Sequence, residues 1–145
     1  GIKELVDQQF DIGEEILSHN LVPIIEPEVD ILIPDKKDAE DLLYSNIKRR
    51  LDRIEPSKKV MLKLSLPEQD NFYESLTQHP NILRIVALSG GFEKKIAVSR
   101  LIKNHNMIAS FSRALTEGLK SNSTENEFEK QLDQTIQSIF EASLT

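Results

Sequence analysis

The chain of 145 residues contains no cysteine, so disulfides and thiolate metal sites are excluded. No stretch reaches the roughly 18 consecutive apolar residues that a membrane helix needs, and the N-terminus lacks the apolar core of a signal peptide. Basic residues form no run with interleaved aromatic residues, and the formal net charge is -6, which argues against nucleic acid as a partner. We therefore expect a cytoplasmic protein that binds neither membrane nor nucleic acid.

The sequence also lacks a recognisable metal-binding motif. The three histidines, His19, His79 and His105, lie far apart with no ligand spacing, so we expect no metal and no cofactor. The hydrophobic fraction of 39% suffices for one core, and we expect a single domain unit over residues 1–145. Because the chain starts at Gly1 within an amphipathic helical pattern, we also expect a truncated or processed molecule.

Apolar periodicity alternates between helix and strand along the chain. It predicts helices over residues 2–17, 38–51, 68–78, 92–104 and 125–143, and strands over residues 21–29, 59–66, 82–88 and 107–111. Strands that alternate with helices and are apolar on both faces predict a parallel sheet covered by helices, either doubly wound or a (β/α)₈ barrel. Four strand–helix units would make half of such a barrel.

In parallel α/β folds the functional site lies at the C-terminal ends of the strands. The first predicted strand carries Glu26 and Glu28, whose spacing places both carboxylates on one face of an extended segment. An equally open alternative is that both are solvated turn residues beside a proline.

The second strand embeds Lys63 among apolar neighbours. Desolvation there favours the neutral amine, which makes Lys63 a candidate Schiff-base nucleophile. For a lysine taken alone, a stem lying on apolar surface with its ammonium group in water is the commoner arrangement.

The third and fourth strands are followed by anion-binding residue types. Ser89, Gly90 and Gly91 would let backbone N–H groups approach a phosphate ahead of a helix. Arg113, at the start of a short helical stretch, could bind a phosphate with two hydrogen bonds. The simpler interpretation of Arg113 is a surface pair with Glu117 one turn later.

Together these segments resemble the class I fructose-1,6-bisphosphate aldolases, most closely the bacterial branch. VPIIEPE at residues 22–28 resembles the family's fifth barrel strand, and MLK at 61–63 resembles the sixth. LSGG at 88–91 is similar to the seventh and SFSRAL at 110–115 to the eighth. The resemblance covers the whole chain and implies the C-terminal half of a TIM (β/α)₈ barrel.

The resemblance implies a lyase of glycolysis that cleaves fructose 1,6-bisphosphate reversibly into dihydroxyacetone phosphate and glyceraldehyde 3-phosphate through a Schiff base. It assigns the imine to Lys63, the main proton transfers to Glu26 and a tuning charge to Glu28. It implies substrate or phosphate binding by a further set, namely Ser89, Gly90, Gly91, Ser110, Ser112 and Arg113. Ser112 departs from the pattern, because many members have glycine there.

The family's first four strands, with an aspartate and further lysines of the active site, have no counterpart in this chain. The resemblance therefore implies that the N-terminal half of the barrel is a required partner and that this chain alone is inactive. An alternative is a non-catalytic half-barrel that assembles with itself, as a homo-oligomer, or with a separate N-terminal half. Another Schiff-base barrel and a zinc-dependent aldolase fit the motifs less well.

Overall fold

The computed structural model describes residues 1–145, with four strands and six helices in alternation. In chain order these are α1 Ile2–Ser18, β1 Ile24–Ile25, α2 Lys36–Leu51, β2 Val60–Ser65, α3 Glu74–Thr77, β3 Ile82–Leu88, α4 Lys94–Leu101, β4 Met107–Ala109, α5 Arg113–Thr116 and α6 Glu125–Ala142. The predicted succession of helices and strands is therefore confirmed. None of the helices combines the length and the apolarity that a membrane span requires.

The four strands form one parallel sheet in the order β1-β2-β3-β4. Ile25 pairs with Leu62, Leu62 with Ile85, and Ile85 with Met107, so these four side chains form a row on one face. All four belong to a single hydrophobic core to which every helix contributes a residue. Every helix thus contributes to the same core as this row, and the strands follow chain order without the reversal of strand order that marks a doubly wound sheet.

The opposite face of the sheet is open at β1 and β2. In β2, Val60, Leu62 and Leu64 are buried, whereas Met61 and Lys63 between them are only half-buried. On β1 the side chain of Ile24, which pairs with Met61, is 49% exposed. The face of β1 and β2 away from the core is thus left partly exposed, although Ile24 and Met61 on it are apolar.

The first strand is much shorter than predicted. Only Ile24–Ile25 forms a ladder, although buried and exposed residues alternate from residue 22 to residue 30. Pro23 and Pro27 flank the ladder and have no N–H to donate, which limits pairing to the residues between them. The segment remains extended, so its side chains still alternate between the two faces of the sheet.

The third helix is also shorter than predicted. Instead of residues 68–78 it covers only the turn Glu74–Thr77. Asn71 has a left-handed φ of 60° and exchanges hydrogen bonds with the segment before β4: its N–H donates to Asn104 Oδ1, and its Oδ1 accepts from His105 N–H. A left-handed residue held from outside cannot continue a helix. The remaining predicted boundaries lie within three residues of the observed ones.

Helices α1 and α2 are joined by an ionic cluster around Arg50. Its guanidinium group donates to Asp11 Oδ1 at 2.7 Å and to Glu14 Oε1 at 2.8 Å, and approaches Asp7 Oδ1 at 3.3 Å. Hydrogen bonds from Lys3 and then from Arg49 hold the pKa of Asp7 well below its usual range. The cluster fixes α1 against α2, and α1 carries Gln9, which contacts the backbone of Glu26.

Candidate active site

Lys63 and Glu26 meet on the open face of the sheet. Lys63 Nζ donates to Glu26 Oε2 at 2.8 Å, and the two side chains are 27% and 44% exposed. Lys63 alternates with the buried residues of β2, and Glu26 follows directly on β1, so register places the two side chains side by side. The lysine thus lies opposite the helices with a carboxylate in contact, rather than alone on the outer surface.

Glu28 lies on the same exposed face as Glu26, because Pro27 and Val29 on either side of it are buried. Its carboxylate makes no hydrogen bond or ion pair within the chain. The predicted common face of the two glutamates is therefore confirmed, but only Glu26 contacts Lys63.

Two further residues fix the backbone around the glutamates, and the sequence motifs did not point to either. Gln9 of α1 accepts from Glu26 N–H at 3.0 Å and donates to Glu26 C=O at 3.4 Å. Ser65, at the end of β2, accepts from Val29 N–H at 3.1 Å and donates to Val29 C=O at 2.7 Å. Both contacts replace strand pairing where the β1 ladder has ended.

A tight turn follows β3. Phe92 N–H donates to Ser89 C=O at 2.9 Å, and Gly90 and Gly91 between them have φ of 61° and 102°. A Cβ on Gly90 would lie 2.9 Å from Ile31 Cγ2, so a side chain there would be disfavoured by crowding as well as by φ. The fold therefore favours glycine at position 90 whether or not a phosphate binds at the turn.

The N-terminus of α4 already carries an anion from the chain itself. Glu117 Oε2 accepts from Lys94 N–H at 2.7 Å, in the position that favours negative charge. Glu117 therefore does not pair with Arg113, and that simpler interpretation is wrong. The Arg113 side chain is exposed and forms no ion pair within the chain, so it is free to bind a ligand anion.

Ser110 and Ser112 both follow β4 and are exposed. Ser110 N–H donates to Ala87 C=O at 2.7 Å, which extends the pairing of β3 with β4 by one residue. Ser112 is the N-cap residue of α5, but its side chain makes no capping hydrogen bond. Ser89 is only 5% exposed, so of the three serines it is the one enclosed by the fold.

Just beyond β2 the chain is held by a buried ion pair of α2. Lys36 Nζ donates to Glu40 and, at 3.0 Å, to Leu66 C=O, while Glu68 N–H donates to Glu40 Oε2 at 3.0 Å. Tyr73 is buried beside this pair, and burial, together with the charge of Glu40, raises the pKa of its hydroxyl above the usual range. These contacts hold residues 66–68, which follow β2, against α2.

The structure brings Lys63 and Glu26 into contact, with Glu28 beside them, and places the remaining predicted residues after β3 and β4 along the same edge of the sheet. The three histidines have separate neighbours: His19 contacts Glu15, His79 contacts Asp52, and His105 contacts Asn71. No three histidine, aspartate or glutamate side chains come together in metal-binding geometry.

Individual curated proteins match this chain over its whole length, whereas no protein-family model matches it. It is 51% identical over 145 residues to "Fructose-bisphosphate aldolase class 1" of Synechocystis sp., which covers 100% of this chain and 48% of that protein. The chain is a relative of the class 1 fructose-bisphosphate aldolases.

Two further aldolases of this class show the same relationship. The Clostridium acetobutylicum protein is 50% identical over 145 residues, which is 100% of this chain and 49% of that protein. The Porphyromonas gingivalis protein is 49% identical over 144 residues, which is 99% of this chain and 48% of that protein. The resemblance to class 1 aldolases is thus confirmed, and the chain spans about half the length of the curated aldolases that it matches.

Proposed function

We propose that residues 1–145 form the C-terminal half, strands five to eight, of the (β/α)₈ barrel of a class I fructose-bisphosphate aldolase. The completed enzyme would cleave fructose 1,6-bisphosphate reversibly to dihydroxyacetone phosphate and glyceraldehyde 3-phosphate, as a glycolytic enzyme of the cytoplasm. The observation that carries this proposal is the contact between Lys63 Nζ and Glu26 Oε2 on the side of the sheet away from the helices. It pairs an amine with a carboxylate where a barrel would have its lumen.

In this proposal the Lys63 amine attacks the C2 ketone of the sugar bisphosphate. The carbinolamine that forms loses water to give an iminium ion, which is a stronger electron acceptor than the ketone. Lys63 must give up its proton before it attacks, and the contact with Glu26 provides an acceptor within hydrogen-bond distance. Neither step requires a metal or an organic cofactor.

Glu26 would then transfer the protons of the later steps. It would protonate the departing hydroxyl during dehydration and accept the C4 hydroxyl proton as the C3–C4 bond breaks. The electron pair of that bond moves to the iminium carbon system, which leaves an enamine and releases the aldehyde. Protonation of the enamine and hydrolysis of the imine return free Lys63. Glu28 has no partner within the chain and would contribute negative charge beside these steps.

The residues after β3 and β4 would bind one phosphate of the substrate. The exposed guanidinium group of Arg113, the N–H groups of the glycine turn and nearby serine hydroxyls suit a phosphate at this edge. The proposed set is Ser89, Gly90, Gly91, Ser110, Ser112 and Arg113. Fixing the substrate at an end remote from the reacting bond would orient the ketone toward Lys63.

The proposed activity requires the rest of the barrel, since this chain contributes only one wall. The open face exposes Val22 and Ile24, which a closed barrel would bury. The outer edges of the sheet are covered only in part: Gln9 contacts Glu26 on one edge, and Ser143 Oγ accepts from Ala109 N–H at 3.1 Å on the other. We therefore propose the N-terminal half of the barrel as the partner, with strands that would pair with these edges.

The same open face favours a second candidate, a half-barrel that assembles with itself or with a separate N-terminal half without catalysing a reaction. Cleavage assays separate the two candidates. The protein to test is a chimera in which this chain replaces the matching part of the Synechocystis aldolase; we call it the completed chimera. Lys63→Met should abolish its cleavage of fructose 1,6-bisphosphate, whereas Lys130→Met, an exposed lysine of α6, should leave cleavage unchanged. Cleavage that survives Lys63→Met would reject the proposed catalytic role.

A further inference from the structure

A single hydroxyl joins the two segments that carry the proposed catalytic residues. Ser65 is 2% exposed, and its Oγ both accepts from Val29 N–H at 3.1 Å and donates to Val29 C=O at 2.7 Å. Ser65 lies two residues after Lys63 on β2, and Val29 directly follows Glu28. The contact thus connects the lysine strand to the glutamate segment.

The hydroxyl replaces a strand ladder that proline interrupts. The pairing of β1 with β2 covers only Ile24 and Ile25, and Pro27 cannot donate a hydrogen bond. Beyond the ladder, the Ser65 hydroxyl supplies Val29 with both hydrogen bonds that strand pairing would otherwise provide. Both groups are buried, so removal of the hydroxyl would leave a peptide N–H and a C=O without a partner.

The hydrogen bonds of Ser65 to Val29 also restrain the two carboxylates, because the backbone between Glu26 and Val29 contains a proline. The N–H of Val29 belongs to the peptide bond that follows Glu28, so the hydroxyl fixes the plane of that bond. Pro27 has a locked φ and confines Glu26 before it to extended conformations. The restraint therefore reaches Glu26 through the backbone of Glu28 and Pro27.

We propose that Ser65 is a positioning residue, whose hydroxyl holds the Glu26–Glu28 segment at the distance from Lys63 that proton transfer requires. The inference rests on the proposed aldolase function and adds to it a residue that contacts neither the substrate nor the reacting atoms. Its effect falls on the chemical step, because the groups that we place on the phosphate lie after β3 and β4.

The test compares Ser65→Ala, Ser65→Thr and Ser65→Val in the completed chimera, with Ser99→Ala, an exposed serine of α4, as the control. Ser65→Ala should lower kcat roughly tenfold to hundredfold, as expected for a small misplacement of a catalytic group, while KM stays within about twofold. Amide exchange at Val29 should accelerate roughly fivefold to tenfold, which corresponds to the loss of one hydrogen bond. Ser99→Ala should change neither quantity.

The threonine and valine variants separate the hydroxyl from the shape of the side chain. Ser65→Thr should keep most of the kcat and the slow exchange at Val29, whereas Ser65→Val should lose both. Equal kcat for these two variants, or a loss of activity that only follows the fraction of unfolded protein, would overturn the positioning role. Borohydride trapping on Lys63 should persist in Ser65→Ala. If the unmutated chimera does not trap on Lys63, the proposed function fails and the role of Ser65 fails with it.

Discussion

The carboxylate of Glu26 lies 2.8 Å from the side-chain nitrogen of Lys63, although the two residues are 37 positions apart in the chain. The contact depends on the parallel register of β1 and β2 and on the extended backbone before Pro27. Because it lies on the face away from the helices, the pair faces the space that the remaining strands of a barrel would enclose. The chemistry that we propose for this chain starts from this pair.

The two glutamates should differ in importance. In the completed chimera, Glu26→Gln should lower kcat roughly a hundredfold or more, since the amide cannot accept the proton that Lys63 and the substrate give up. Glu28→Gln keeps the size of the side chain and should cost less, because Glu28 does not contact the lysine. Steady-state cleavage rates measure both effects. Equal losses for the two variants would contradict the assignment of the main proton transfers to Glu26.

Substitution of Gly90 should destabilise the protein more than substitution of another glycine with positive φ. Gly118 has a φ of 89°, and a Cβ there would make only an ordinary contact with Gln131 Nε2 at 3.9 Å, whereas a Cβ on Gly90 would lie 2.9 Å from Ile31 Cγ2. Strain from φ should cost about 1 kcal/mol in both cases, and crowding should add about 1–3 kcal/mol for Gly90→Ala. Urea unfolding of the two alanine variants of the completed chimera gives the difference.

Ile31→Ala provides the control for this crowding. Combined with Gly90→Ala it should recover most of the extra loss, because the contacting side chain is then removed. A loss that is the same with and without Ile31 would show that backbone strain alone determines the cost at this turn.

The ionic contacts of Asp7 and Asp52 should make the free energy of unfolding fall in acid. Lys3 and Arg49 lower the pKa of Asp7, and Lys48 and His79 lower that of Asp52. A carboxylate whose folded pKa is depressed stabilises the fold above its unfolded pKa of about 4 and loses this contribution as pH falls through the folded value.

Substitution to asparagine removes this dependence. The unfolding midpoint of Asp7→Asn should lie below that of the unmutated chimera at about pH 6, and the difference should shrink below about pH 4. Asp133→Asn, which alters an exposed residue of α6 without an ion pair, should show no such convergence. A constant difference from pH 6 to pH 2 would contradict the role of the Asp7 contacts.

Much of the fold and part of the site could be predicted from the sequence, because they depend on local periodicity. The bounds of β3 and the position of Lys63 in its strand follow from apolar runs, and the common face of Glu26 and Glu28 follows from their two-residue spacing. Ser65 and Gln9 could not be predicted, since their hydrogen bonds join residues 36 and 17 positions apart and depend on how the elements pack. The start of the third helix was predicted too early for the same reason, because Asn71 is held by a distant segment.

The isolated chain should associate with itself. Its open face and incomplete sheet edges offer apolar surface and unpaired strands to another copy. Sedimentation should show dimers or larger species, and Ile24→Ser, on the open face, should reduce them more than Ile96→Ser, on α4. We also expect weak anion binding near Arg113 without sugar cleavage. A monomer with cooperative unfolding, or cleavage by the isolated chain, would contradict these expectations.

Borohydride trapping tests the central claim most directly. The completed chimera is mixed with dihydroxyacetone phosphate, reduced with borohydride, digested and mapped by mass spectrometry, because only an imine is converted into a stable secondary amine. The account predicts one adduct, on Lys63, which disappears in Lys63→Met and is unaffected by EDTA. An adduct on another lysine, or cleavage activity that EDTA abolishes and that leaves no adduct, would contradict it.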